Sequence, residues 1–377
     1  MSITVGFPGQ IMPPATRAIE MAQRAEANGF DSVWWPDHLM GWHPDSVWNE
    51  DFTPLAAVQD NPHMYFEPLT MMGAAGAATE RIRVGTCVTE VMRRHPAMLA
   101  QHIVTVDHLS QGRAILGLGS GERLNVEPYG MDWRKPVGRL SEGLEVMRLL
   151  WKSDKPVDFH GDFFQLEDAI MGLPTYQGED PDIWLASHGP RMLALAGREA
   201  DGWLPTYMAP EDYAAKLGVI REHAERADRD PMAIVPSMLA YTMVAPDEET
   251  LDRLCEHPLV RLLCVLFPAE AYAKVGATPP FEGGSGFHSF IPTRVSREEA
   301  ERVLSHIPGS MARNSCLRGT AEQIADQLRT FGEAGMRDVI LWNITAFADP
   351  DLAGYSFREM KRVKQLLAAD ADVATPA

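Results

Sequence analysis

The chain has 377 residues, 45% of them hydrophobic and 23% charged, with a formal net charge of −18. That length and apolar content suit a large α/β enzyme domain, and surplus acid without a Lys/Arg cluster excludes nucleic acid or an anionic membrane surface as partner. No apolar run reaches the length of a membrane span, and Cys87, Cys255, Cys264 and Cys316 show neither a C-x-x-C pair nor zinc spacing, so they read as reduced thiols without a metal site.

The N-terminus reads as a first strand over 2–7 rather than a signal peptide, which makes the cytoplasm the expected location. Pro13 and Pro14 open a helix with Ala15, Ala18, Ile19, Ala22 and Ala25 at helical spacing, closed by Gly29. Strands over 31–35, 82–87 and 114–118 alternate with helices over 69–78, 97–109 and 139–151. Further strands over 182–186, 202–205, 235–244 and 338–343 alternate with helices over 191–197, 211–227, 248–255 and 321–334. Thr320-Ala-Glu-Gln323 is a capping box for the last of these helices. Eight strands, each followed by a helical stretch, predict a parallel sheet closed into a (β/α)8 TIM barrel. One domain over 1–366 and a flexible tail over 367–377 are expected. Two insertions break the rhythm, after strands 2 and 7, over 39–68 and 268–308, the second including Gly283-Gly-Ser-Gly-Phe-His288; loops of that length act as lids or substrate walls.

The stretch Arg113-Ala-Ile-Leu-Gly-Leu-Gly-Ser-Gly-Glu-Arg-Leu-Asn125 sits at the centre of this plan. Its apolar half suits a strand buried on both faces, and Gly117, Gly119 and Gly121 allow close backbone approach to a ligand beside Ser120, Glu122 and Asn125. A plain tight turn would explain the glycines as well, and a dinucleotide loop would follow the first strand rather than the fourth. Catalytic groups of such barrels stand at the carboxyl ends of strands. Those positions hold Asp37 and His38, Cys87 to Glu90, Glu122 and Asn125, Ser187-His188-Gly189-Pro190, and Thr206. His38 is the acid/base candidate, with Asp37 placed to orient it or anchor a ligand. In Ser187-His188-Gly189-Pro190, ahead of a helix from Arg191, the free N–H groups of the first three residues can hold a phosphate or carboxylate, or form an ordinary cap. No G-x-S-x-G elbow or H-E-x-x-H pair is present.

Together, Trp35-Pro-Asp-His38, Gly85-Thr-Cys-Val88 with Arg94-His-Pro-Ala97, Gly117 to Asn125 with Glu127-Pro-Tyr-Gly130, Ala200-Asp-Gly-Trp203 and Gly319-Thr-Ala-Glu-Gln323 resemble the bacterial luciferase-like superfamily. The resemblance is to its branch using the deazaflavin coenzyme F420, closest to phthiodiolone ketoreductase-like proteins and more distantly to F420-dependent glucose-6-phosphate dehydrogenases. It implies a cofactor site of Asp37, His38, Cys87, Val88, Glu90, Ser120, Gly121, Glu122, Asn125, Ser187, His188, Gly189 and Pro190, with a non-proline cis peptide at Cys87-Val88. His38 would carry the substrate proton and Glu122 would donate to the ring. Glu90 stands where the family has a small hydroxyl residue, and Thr206-Tyr-Met-Ala209 lacks the lysine that holds a sugar phosphate.

The implied reaction is hydride transfer between F420 and a carbonyl or secondary alcohol, in either direction. The aromatics of the first insertion, Trp42, Trp48, Phe52, Tyr65 and Phe66, suit a bulky, apolar or lipid-like substrate touching Trp42, Tyr65 and Thr206, with Arg294 as a possible anion partner. A homodimer is expected. The alternatives are an FMN-dependent monooxygenase, a sugar-phosphate dehydrogenase and a non-catalytic cofactor carrier.

Overall fold

The computed structural model describes residues 3–281 and 286–373. Its strands are β1 (Thr4–Pro8), β2 (Ser32–Trp35), β3 (Arg83–Thr86), β4 (Ala114–Leu118), β5 (Val157–His160), β6 (Gln165–Ala169), β7 (Asp182–Leu185), β8 (Gly202–Trp203), β9 (Val235–Pro236), β10 (Leu239–Val244), β11 (Leu317–Gly319) and β12 (Asp338–Asn343). Ten of them form one parallel sheet in the order β11-β10-β12-β1-β2-β3-β4-β7-β8-β9.

The sheet closes on itself because β9 and β10 are two halves of the strand expected over 235–244. Ser237 and Leu239 donate to the carbonyls of Trp203 and Pro205, both at 2.8 Å, on one side. The Pro236 and Met238 carbonyls accept from Arg337 and Ile340, at 2.8 and 2.9 Å, on the other. The eight-stranded barrel is therefore as expected, with β11 added beside the far end of β10. The antiparallel hairpin β5-β6 is a second addition; its alternating Val157 and Phe159 carry the period of two that marks a strand.

Two fully buried indoles, Trp34 and Trp184, fill the barrel with ring centroids 5.3 Å apart, alongside Ile115, Leu204 and Ile340. Room for them comes from glycine on neighbouring strands: a Cβ at Gly85 would lie 2.4 Å from Trp34, and one at Gly202 would lie 2.5 Å from Trp184. Trp35, one residue on, points outward into the layer between sheet and helices, as strand alternation requires.

The helix after β11 starts with the expected capping box of Thr320 and Gln323. Between β10 and β11 the chain adds helices at Pro258–Leu263 and Gly309–Asn314 that were not anticipated, and a second apolar cluster forms there around Leu254, Leu262, Val265, Phe290 and Met311. Gly283-Gly-Ser285 of the expected glycine-rich loop lies outside the described residues. The final helix runs Ala353–Val373, so the stretch expected as a tail is helical through 373, and 374–377 lie outside the described residues. No described helix is long and apolar enough to cross a membrane.

Candidate active site

Parallel strands deliver their carboxyl ends to one face of the barrel, and there β2, β3 and β4 bring His38, Cys87 to Glu90, and Glu122 to Asn125 together. The His38 side chain is 7% exposed. Its Nδ1 lies 2.8 Å from Asn125 Nδ2 and 3.5 Å from Glu122 Oε2. Asn125 has no freedom to flip, because its Oδ1 accepts the backbone N–H groups of Leu39 and Met40 at 2.8 and 3.0 Å. Its Nδ2 therefore donates, to His38 Nδ1 and to Glu122 Oε2 at 3.1 Å. With Nδ1 accepting, the neutral imidazole carries its proton on Nε2.

Asp37 does not orient His38 through its carboxylate. That group is buried and accepts from Thr89 Oγ1 at 2.5 Å and from Arg94, while Arg93 Nη2 stands 3.0 Å from it and donates to the Asp37 carbonyl at 2.8 Å. Burial works to raise the Asp37 carboxyl, but Arg93 and Arg94 outweigh it and hold the group below its usual value. Glu90 is explained by the same network: its carboxylate accepts Arg93 Nε at 2.5 Å and the Arg93 N–H at 3.1 Å. Glu90 thus neutralises a buried arginine from within the protein. Arg94 reaches on to Glu67 at 2.7 Å, the residue capping the helix Pro68–Ala77. Both arginines were missed as site residues, since the partner that joins them, Asp37, is distant in sequence.

The Cys87-Val88 peptide is cis, as the resemblance implies. Val88 is partly exposed between buried Cys87 and Thr89. Two of the glycines, Gly117 within β4 and Gly119 just after it, make room for this bulge. A Cβ at Gly117 would stand 1.8 Å from the Thr86 carbonyl oxygen, and one at Gly119 would stand 2.8 Å from Val88 Cγ2. Gly121 has φ +83, the left-handed region open to glycine. Ser120, partly exposed, lies between these turns.

Of the five aromatics in the first insertion, Trp42 and Tyr65 flank His38, with ring centroids at 5.3 and 5.1 Å. Trp48 stacks on His43 and donates to the Gln59 carbonyl at 2.7 Å, Phe52 packs on the second apolar cluster and Phe66 on the main core; these three hold the insertion in place. A residue the sequence reading passed over, Tyr241 of β10, meets Trp42 edge to face at 6.4 Å. Burial raises its phenol, and Glu122, Tyr65 and Cys87 add to the effect. The later insertion closes over the same face, with Ile291 against Met40 and Leu124. Arg294 is 58% exposed and pairs with Glu127 at 3.0 Å, so it ties the insertion to the β4 loop instead of presenting a free cation.

Next to β4, after β7, the helix Pro190–Glu199 begins one residue earlier than expected, at Pro190, with Gly189 as N-cap and no side-chain cap. Ser187 is buried with its carbonyl accepting from Trp203 Nε1 at 3.0 Å. His188 Nε2 accepts the Thr206 N–H at 3.2 Å, which joins Thr206 to this segment rather than to His38. Lys216 Nζ donates to the His188 carbonyl at 3.0 Å and adds a cation here that the sequence reading missed.

These residues fit the deazaflavin that the motifs imply. An apolar bulge at Val88 could offer a ring face, and the His38–Glu122 pair follows strands of the same barrel face. Trp42 Nε1 is buried without a hydrogen-bond partner, a donor left for a polar ligand. The uncapped helix start near Lys216 suits an anionic tail.

The family described as luciferase-like monooxygenase matches residues 3–338. A phthiodiolone/phenolphthiodiolone dimycocerosates ketoreductase of Mycobacterium tuberculosis is 35% identical over 337 residues, 88% of each chain. An F420-dependent glucose-6-phosphate dehydrogenase of Amycolatopsis mediterranei is 37% identical over 220 residues, 56% of this chain and 60% of that one. Among solved structures, an F420-dependent secondary alcohol dehydrogenase in complex with an F420-acetone adduct is similar with a TM-score of 0.75 at 25% identity, covering 96% of this chain and 98% of that one. Barrel, cis peptide and matched span agree, and the chain belongs to the luciferase-like monooxygenase family.

Proposed function

We propose that this protein is an oxidoreductase moving hydride between coenzyme F420 and the carbonyl or carbinol carbon of a bulky, largely apolar substrate. Support comes from the names of the relatives, two of which are F420-dependent and one a ketoreductase of a lipid. The observation that carries the reading is that His38 Nδ1 has both a donor and an acceptor within reach, Asn125 and Glu122.

When bound, F420 supplies the two-electron hydride chemistry; the chain's own residues handle the proton. With Nδ1 accepting from Asn125, His38 offers Nε2–H to a carbonyl oxygen. As the Nε2 proton passes to the product oxygen, Nδ1 takes one up from solvent by way of the Glu122 carboxyl, and the imidazole stays neutral. In the oxidative direction the ring with Nδ1–H on Glu122 presents a bare Nε2 that takes the alcohol proton. Trp42 and Tyr65 exclude water around this atom, and Met40, Leu124 and Ile291 extend an apolar roof.

The test is a titration with F420 and with FMN, followed by oxidation of reduced F420 in the presence of long-chain ketones or of gluconolactone 6-phosphate. F420 binding with turnover of the ketones is expected. Binding of FMN alone would support a monooxygenase, and turnover of the sugar phosphate alone would overturn the substrate reading.

A further inference from the structure

The acid/base residue sits on a peptide held from both sides. Downstream, Asn125 takes the N–H groups of Leu39 and Met40. Upstream, the Asp37 carbonyl accepts Arg93 Nη2 at 2.8 Å. The Arg93 side chain is 6% exposed and lies between two carboxylates, Glu90 on its Nε at 2.5 Å and Asp37 on its Nη2 at 3.0 Å. The Asp37 carboxylate is in turn fixed by Thr89 and Arg94. A guanidinium can serve a carbonyl and two carboxylates at once because its donors form a rigid planar fork; an ammonium is a point charge that cannot hold all three directions.

We infer that Arg93 is a positioning residue for the proton-transfer step: by holding the Asp37 carbonyl it fixes the peptide that aims His38, and Glu90 is present to hold Arg93 in that orientation. The inference rests on His38 as the acid/base group, the reading given above. Arg93 has no contact with His38 itself among the described hydrogen bonds and ion pairs, so its effect passes through the backbone. If the upstream anchor is lost, the imidazole can swing away from Asn125, and the preference for a proton on Nε2 fades.

Two measurements on the full-length protein test this. The first is the ¹⁵N spectrum of the His38 imidazole without cofactor, assigned by its loss in His38→Ala. Wild type should show Nδ1 as acceptor and Nε2 protonated. Arg93→Met should move both signals toward the tautomer average of an unconstrained imidazole, and Glu90→Gln should move them part of the way. Because Arg93→Met strands the buried Glu90 carboxylate and can fail to fold, Arg93→Lys serves as the second variant; it keeps the charge, and its spectrum should also shift. A folded Arg93→Lys or Arg93→Met protein with a wild-type His38 spectrum overturns the proposal.

The second measurement is single-turnover oxidation of reduced F420 by a ketone. Arg93→Lys should slow the step roughly ten- to a hundredfold, as expected for a misplaced catalytic group, with F420 affinity little changed. In a His38→Ala background the same substitution should have no further effect. An equal loss in both backgrounds would mean that Arg93 acts independently of His38. If His38→Ala itself turned over like wild type, the acid/base assignment would fail, while the spectrum would still decide whether Arg93 sets the imidazole.

Discussion

Asn125 holds His38 from one amide group: its oxygen takes two consecutive backbone N–H groups beyond the histidine, and its nitrogen lies 2.8 Å from the imidazole Nδ1. Asn125→Asp keeps the shape but removes the donor and adds a charge next to Glu122. Nδ1 must then donate, and the imidazolium gains a second carboxylate. Turnover at neutral pH is expected to fall about 10²-fold. A variant that turns over at the wild-type rate would dissolve the link between this amide and the proton.

His38→Ala removes the proton carrier without touching the apolar bulge at Val88. Loss of roughly 10²- to 10⁴-fold in rate, with F420 affinity within a few-fold, is the expected split. Glu122→Gln should slow turnover less than His38→Ala, because it removes only the acceptor that backs the protonated ring. Stopped-flow rates and a binding isotherm separate the two effects; equal losses of affinity and rate would place His38 in binding alone.

Asp37 makes stability depend on pH. Its folded carboxyl is held below the ordinary value, so it stabilises the fold fully above the unfolded value near 3.8 and loses that contribution as pH falls through the folded value. Asp37→Asn should flatten acid unfolding in that window. At neutral pH it should cost roughly 3–5 kcal/mol, the usual penalty for breaking a buried pair. Urea unfolding at pH 7 and at pH 3 measures both; a variant with the wild-type difference between the two would show that another carboxyl carries it.

Gly117 within β4 and Gly119 just after it should fail in different ways. A Cβ at Gly117 meets a backbone oxygen at 1.8 Å, whereas one at Gly119 meets the tip of Val88 at 2.8 Å. Gly117→Ala is expected to cost at least about 1–3 kcal/mol, the range for overpacking. Gly119→Ala should leave stability nearer to wild type and weaken F420 binding by pushing Val88 toward the ring. Thermal melts with and without F420 distinguish them.

The barrel was readable from sequence because each buried parallel strand is a short apolar run followed by a helical period, and His38, Glu122 and Asn125 were readable because they follow such runs. Arg93 and Arg94 were not. The carboxylate they share, Asp37, is 56 and 57 positions away, and an Arg-Arg pair in a loop looks like any solvated one. Tyr241 escaped for the opposite reason: among Leu239, Ala240 and Met243 it reads as core. The break between β9 and β10 was invisible because Ser237 and Met238 continue the strand's hydrogen bonding while changing its neighbour. Glu90, an anomaly in the motif, became intelligible only beside its arginine.

The segment between β10 and β11 carries an apolar interior of its own, separate from the layer between barrel and helices. Tyr241, itself part of that interior, packs on Trp42 and on Phe267, and Trp42 in turn meets the His38 ring edge to face. A change of side-chain volume at Leu254, Leu262 or Met311 therefore has a two-ring path to the imidazole, through the phenol and the indole.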